Sequence, residues 1–211
     1  SGSAMVWVKN DGFQIRNMTL EDTYNEDRGA CKGTKTATGQ CSTGNHQAVA
    51  FLIDAADKVH AENTRFISNQ DTLYFKSGAV GKTVRSFYRN VYVEGDVDFI
   101  FGRATAYFTK SEIKSLGART DSVFATAPST NLNTPYGIVM DDCDFTSDGV
   151  GLASSAGVYL GRQWFESVKC SPYSNLPAGC SVGTADDASI PSLTKNTLET
   201  VGKTIIMNSR I

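Results

Sequence analysis

Short runs in which apolar or β-branched residues alternate with polar ones recur along the whole chain. Met5-Val6-Trp7-Val8, Gly12-Phe13-Gln14-Ile15, Ala48-Val49-Ala50-Phe51-Leu52, Thr72-Leu73-Tyr74-Phe75 and Gly137-Ile138-Val139-Met140 are examples. A two-residue period bounded by turn residues predicts strands. Helical periodicity is scarce. The segment from Ala55 to Glu62 could make about one helical turn, but it carries no apolar face over three turns. The pattern predicts an all-β fold.

A loose repeat runs through these strands: an Asn or Asp, then an apolar residue three positions later. It occurs as Asn17 to Leu20, Asn63 to Phe66, Asn90 to Val93, Asp142 to Phe145 and Asn208 to Ile211. Asn63 and Asn90 stand 27 positions apart; Asn17 and Asn63 stand 46 apart, close to two such intervals. Repeats of this length built on short strands point to a solenoid. A sandwich of hairpins is the rival. It is disfavoured by the lack of Asn-Gly or Asp-Gly turns between adjacent strands, Asp11-Gly12 being the one Asp-Gly pair outside a loop. Two long polar stretches, Tyr24 to Asn45 and Phe165 to Ser192, read as insertions on the flank of the solenoid rather than linkers. Residues 1–211 are therefore expected to form one domain. The closing run Lys203 to Ile211 reads as a strand awaiting a further coil, and neither end carries a cap. The expectation is the central part of a longer domain, truncated at both ends.

With 40% hydrophobic and 20% charged residues and a net charge of -2, the chain has the make-up of an ordinary globular protein. No basic stripe supports nucleic-acid binding, and no apolar run approaches the roughly 18 residues of a transmembrane helix. Cys31 and Cys41 stand ten positions apart in one long loop, and Cys170 and Cys180 ten apart in the other. Two local disulfides are the favoured reading, with five reduced thiols the alternative. Disulfides would imply an oxidising compartment. Cys143 is left over, as a buried free thiol. The lack of Cys-x-x-Cys and the presence of only two histidines argue against a zinc site.

Four segments carry candidate chemistry: His46-Gln47-Ala48-Val49-Ala50, Asn69-Gln70-Asp71-Thr72-Leu73-Tyr74, Gly95-Asp96-Val97-Asp98-Phe99-Ile100-Phe101-Gly102 and Tyr159-Leu160-Gly161-Arg162-Gln163-Trp164. Gln47 and Gln70 are 23 positions apart, Asp71 and Asp98 27. One coil of a parallel β-helix of about this length returns the chain to the same face, about 4.8 Å further along the axis. The side chains can then stack into one cluster. A carboxylate can attack an ester carbonyl, and a second carboxyl group can protonate the leaving alkoxide and later activate water. Close carboxylates resist ionising together; Arg162 beside one would keep that one charged. Glutamine N–H groups suit an oxyanion hole. Trp164 offers a flat apolar face for a sugar ring. Taken alone, an Asp-Val-Asp run is more often a strand-ending turn, and Gln70 could belong to a stacked amide ladder. Phe99 reads as an ordinary core residue; strand alternation alone would put it on the same face as Phe101, so loop curvature must separate the two if only one lines a cleft. His46 reads as a structural hydrogen-bonding residue. Gly78 to Thr83 imitates a phosphate loop but has Lys76 where the first glycine is required.

Gln-Asp-Thr-Leu-Tyr, Gly-Asp-Val-Asp-Phe-Ile-Phe-Gly and Tyr-Leu-Gly-Arg-x-Trp together resemble the signature segments of the pectin methylesterases, carbohydrate esterases with a right-handed parallel β-helix fold. Ala125 to Thr130 resembles their bacterial branch. The similarity runs from about Ser3 to Ile211 with the motifs in family order. It implies Asp98 as nucleophile, Asp71 as general acid/base, Gln70 as main oxyanion donor, Gln47 as a second glutamine there, and Arg162 as the partner of the nucleophile. Trp164, Tyr74, Val97 and Phe101 match positions lining the sugar cleft. The implied partner is methyl-esterified polygalacturonate; the implied state is a monomer, secreted, periplasmic or outer-membrane-associated, needing no cofactor. The sequence departs from the family at Gln163, where proline is usual, and at Lys76 to Arg85, which looks like an insertion. The cysteine-bearing loops resemble a subgroup associated in part with other esters. Two rivals therefore stand beside the pectin esterase: a β-helix hydrolysing another ester or thioester, and a non-catalytic polysaccharide-binding solenoid.

Overall fold

A computed structural model describes residues 4–24, 47–78, 82–117, 120, 122–149, 157–166 and 200–211. Its first coil carries β1 (Val6–Val8), β2 (Gln14–Arg16) and β3 (Thr19–Glu21), and its second β4 (Phe51–Asp54), β5 (Val59–Glu62) and β6 (Arg65–Ile67). The third carries β7 (Leu73–Lys76), β8 (Arg85–Arg89) and β9 (Tyr92–Gly95), the fourth β10 (Ile100–Gly102), β11 (Thr105–Thr109) and β12 (Glu112–Ser115). The fifth carries β13 (Val123–Pro128), β14 (Ile138–Asp141) and β15 (Asp144–Ser147), and β16 (Val158–Gly161) and β17 (Thr204–Met207) follow. The strands stack into three parallel sheets: β1-β4-β7-β10-β13-β16, β2-β5-β8-β11-β14-β17 and β3-β6-β9-β12-β15. This is a parallel β-helix, the solenoid that the repeats predict, and no helix occurs among the described residues.

The core is a column of stacked inward side chains. In the second sheet Ala61 is in register with Tyr88, Tyr88 with Phe108 and Phe108 with Met140. The Tyr88 and Phe108 rings are 4.4 Å apart and nearly parallel, and the Phe75 ring joins Tyr88 at 5.5 Å. In the third sheet the column is Leu20, Phe66, Val93, Ile113 and Phe145. Each large apolar side chain taken fully out of water contributes about 1.5–3 kcal/mol, so the column holds the coils in register.

The sequence repeat is the corner between the second and third sheets. Asn17, Asn63, Asn90, Asp142 and Asn208 have φ between 50° and 56°, the left-handed region that Asn and Asp tolerate best among residues with a Cβ. The Asn63 amide donates to Asn17 Oδ1 at 3.1 Å and the Asn90 amide to Asn63 Oδ1 at 2.7 Å. Lys110 (φ 51°) fills the same corner in the fourth coil, with Ile113 three positions on. The stacking corrects one inference. Asn17 and Asn63 lie in adjacent coils, so their separation is one coil with a long insertion, not two coils. A second correction concerns Ala55 to Glu62, which forms no helical turn. Ala55 and Lys58 take left-handed angles of 60° and 59°, and β5 follows directly.

Cys143 is buried and free, as expected; Cys31, Cys41, Cys170 and Cys180 lie outside the described residues.

A bidentate pair closes the outer corner beside β8. Arg85 donates through Nε and Nη2 to the two Asp57 oxygens at 3.0 and 2.6 Å, and through its main-chain N–H to Oδ1 at 2.8 Å. These bonds hold the Asp57 carboxyl below its ordinary range. A carboxyl depressed by folding stabilises above its unfolded pKa, about 3.9, and that contribution is lost as the pH falls through the lower folded value. Arg85→Gln is expected to lower unfolding free energy modestly at pH 7, since the pair is solvent-screened, and the deficit is expected to shrink as the pH falls below about 4. Urea titrations from pH 7 down through the acid range check this; a deficit that does not shrink on acidification would count against the ion pair.

Candidate active site

Register decides which polar side chains can meet. Leu73 pairs with Ile100, Tyr74 with Phe101 and Phe75 with Gly102. The same offset continues backward: Asp71 N–H donates to Val97 O at 3.1 Å and Leu73 N–H to Phe99 O at 2.8 Å. Asp98 therefore stands one coil beyond Asp71, at the strand spacing of about 4.8 Å. Both residues take left-handed backbone angles, 68° and 52°, so the two aspartates occupy equivalent turns leading into β7 and β10. Asp71 is buried, and the Asp98 side chain is 13% exposed.

The glutamines align in the same way. Gln47 and Gln70 form a parallel bridge, and Ala48 N–H donates to Gln70 O at 3.1 Å. Between this bridge and the Phe51–Leu73 pair the offset drops by one. Ala50 and Phe51 both donate to Thr72 O, at 3.0 and 3.2 Å. That is a β-bulge, which bends a strand and re-aims its side chains. Val97, the next residue in this row, is half-buried and presents its carbonyl to Asp71.

Arg162 follows β16 and reaches back two coils. Its N–H donates to Thr126 O at 3.0 Å. Its side chain forks onto Asp98, Nε to Oδ1 at 2.7 Å and Nη2 to Oδ2 at 2.5 Å. Paired charge-assisted bonds of this kind fix both oxygens in one plane. The guanidinium carbon lies 4.3 Å from the centre of the Phe124 ring, which stacks on Tyr159 at 5.1 Å. Phe124 was not among the predicted site residues. The signal was its distance of 26 positions from Asp98, the offset by which β10 pairs with β13.

Three aromatic side chains form a wall beside the carboxylates. Tyr74 and Phe101 stack at 4.4 Å, and Trp164 meets both edge-on, at 6.0 and 5.3 Å. Phe99 and Phe101 do not share a face, contrary to simple alternation. Phe99 sits in the corner that Asp98 turns, so Phe99 and Ile100 both enter the core and Phe101 faces outward. Gln163 fixes its turn without a proline ring. Its amide donates to Trp164 O at 2.8 Å and its carbonyl oxygen accepts Gly202 N–H. The Tyr74 hydroxyl donates to Glu166 Oε1 at 3.1 Å. Burial, and next the Glu166 charge, push its ionisation upward, so it remains a donor. Glu166 was also missed by the sequence reading.

The chain thus gathers Gln47, Gln70, Asp71 and Asp98 at the turns that lead into the central strands of the first sheet, with Val97 between the glutamine row and the aspartates. Tyr74 and Phe101 lie within β7 and β10, and Arg162 and Trp164 reach this cluster from beyond β16. His46 lies outside the described residues. A concavity of about 600 Å³ lies elsewhere, along the asparagine corner. Its Asn63 and Asn90 amides are engaged in the asparagine ladder, and the Asn208 amide donates to Asp141 Oδ1 at 2.8 Å.

Fold and site together define a parallel β-helix with two carboxylates one coil apart, a guanidinium clamp on one of them and an aromatic wall alongside. The pectinesterase family model matches residues 2–170, and the chain belongs to that family. A pectinesterase of Ralstonia solanacearum is 36% identical over 172 residues, covering 79% of this chain and 39% of that protein. Escherichia coli YbhC, which carries a provisional name as an acyl-CoA thioester hydrolase, is 30% identical over 158 residues, 72% of this chain and 34% of its own length. The structure of rice weevil pectin methyl esterase superposes with a TM-score of 0.71 at 30% identity, over 99% of this chain and 47% of that one. The chain spans less than half the length of each.

Proposed function

We propose that the protein is a pectinesterase, removing methyl esters from polygalacturonate with an aspartate nucleophile and an aspartate acid/base. The observation that carries this reading is the bidentate Arg162–Asp98 pair one coil from Asp71. Neighbouring carboxyl groups do not readily ionise together, so their roles divide by their surroundings. Asp98, both oxygens oriented by Arg162, attacks the C6 carbonyl. Gln70 and Gln47 amides receive the oxyanion. Buried Asp71 gives its proton to the departing methanol, then takes one from the water that cleaves the acyl-enzyme anhydride. The aromatic wall of Tyr74, Phe101 and Trp164 receives the sugar ring. Such a substrate favours a location outside the cytoplasm, where Cys31 with Cys41 and Cys170 with Cys180 could form disulfides.

A second reading is hydrolysis of another ester or a thioester. It is favoured by the YbhC similarity and by Gln163 in place of proline. One preparation separates the two: methanol release from highly methylated pectin beside hydrolysis of acyl thioesters. Methanol release with no thioester cleavage is the expected result. Thioester cleavage without methanol would replace the pectin reading.

A further inference from the structure

We propose that Glu166 is a positioning residue that sets the gap between Trp164 and the Tyr74–Phe101 stack, and with it the fit of a sugar ring at the site. This rests on the polygalacturonate reading. A buried carboxylate is costly unless it is bonded and paired, and Glu166 is 2% exposed. Its contacts come from three successive coils. The Tyr74 hydroxyl, on β7, donates to Oε1. Arg103, just after β10 and itself 6% exposed, donates from Nη2 to the Glu166 main-chain oxygen at 2.9 Å and brings Nε to 3.9 Å from Oε2. Ser129 Oγ, just after β13, accepts the Glu166 N–H at 2.7 Å. Arg103 is anchored in turn, its N–H on Phe75 O at 2.9 Å. Burial raises the Glu166 carboxyl, opposed first by the Arg103 charge.

Trp164 lies two residues before Glu166, with its N–H on Pro128 O at 3.2 Å. Tyr74 is therefore held twice by one short segment, by the Trp164 edge against its ring and by Glu166 on its hydroxyl. Removing the second contact frees the first to shift. Arg162 is secured separately, through Thr126 and the Asp98 fork, so the nucleophile should not feel the change. Glu166 thus acts on substrate fit and not on the attack. A purely structural clamp behaves otherwise: its loss inactivates a fraction of the molecules, lowering apparent kcat and leaving KM alone.

The test uses the full chain carrying Trp7→Phe, so that Trp164 is the sole tryptophan. Kinetics on methylated oligogalacturonides are combined with acrylamide quenching of Trp164. Glu166→Ala is expected to raise KM about tenfold, the loss of one charge-assisted bond, with kcat within about twofold, and to increase quenching. Glu166→Gln, which keeps an acceptor for the Tyr74 hydroxyl, is expected to restore most of the KM. Tyr74→Phe removes the same bond by deleting one oxygen; it carries the test if Glu166→Ala does not fold, and the two changes together should be no worse than the stronger alone. A fall in kcat at unchanged KM would overturn the proposal, as would unchanged Trp164 quenching. The quenching comparison needs no substrate, so the two readings fail separately. A parent inert on pectin would defeat the substrate reading, whereas equal quenching in parent and Glu166→Ala would defeat the positioning role.

Discussion

Asp98→Asn is expected to lower kcat/KM for methyl ester hydrolysis roughly 10⁶-fold, the order seen when a nucleophile is removed from a hydrolase, with the thermal midpoint shifted by only a few degrees. An amide nitrogen in place of one carboxylate oxygen offers no negative charge to the ester carbonyl and turns a donor toward the Arg162 fork. The second effect is small, because the Arg162 side chain is 45% exposed and can turn into water. The left-handed turn at position 98 is equally open to Asn, so β10 and its register with β7 should survive. Methanol release and thermal unfolding on one preparation separate the two consequences. Asp71→Asn provides the contrast. Under the proposed roles it leaves the nucleophile and removes the proton donor, so it should suppress methanol departure while an activated ester with a better leaving group still acylates Asp98. Methanol release undiminished in Asp98→Asn would remove the nucleophile assignment. Acylation surviving in Asp98→Asn and not in Asp71→Asn would exchange the two roles.

The spacing that suggested these roles was legible because the core enforces it. Leu73 and Ile100 are locked inward, so the 27 residues from Asp71 to Asp98 had to close one turn. The corner residues were legible for a similar reason: a left-handed angle selects Asn or Asp, and in the first three coils a buried residue, Leu20, Phe66 or Val93, follows at a fixed distance. Where selection is weaker the signal failed. Lys110 tolerates the same corner without belonging to the Asn/Asp pattern, and the extra residues between Tyr24 and Gln47 made one coil look like two. Phe99 is in the core, as its reading had it, although alternation alone would pair it with Phe101; the turn at Asp98 resets the face on which the next residue lies. Glu166 and Phe124 were hidden for another reason. Their partners lie one or more coils away, 92 positions for Glu166 and Tyr74, and no local pattern announces a buried acid or a ring beneath a guanidinium.

Gly102→Ala should be the most damaging single-methyl change in the fold. Gly102 has φ of 130°, outside the range an L side chain adopts comfortably. A Cβ there would overlap the Phe75 carbonyl oxygen and stand 2.7 Å from its carbon and 2.9 Å from the Phe75 nitrogen. That backbone cannot retreat freely, because the same carbonyl accepts the N–H groups of Arg103 and Ala104 at 2.9 and 3.1 Å. Strain and overpacking together should cost about 4 kcal/mol, a midpoint lowered by about 8–16 °C at this chain length. Gly12→Ala is the control. It also has positive φ, 72°, but nothing lies within 4 Å of a new Cβ, so it carries backbone strain alone, about 1 kcal/mol. Equal midpoints for the two variants would show that β7 and β10 can part without penalty. Phe101 and Arg103 flank the glycine, so opening that seam must also move the aromatic wall and the partner of Glu166. Molecules of Gly102→Ala that remain folded should then bind oligogalacturonide more weakly than the parent, which ties the packing of one glycine to the fit of the sugar.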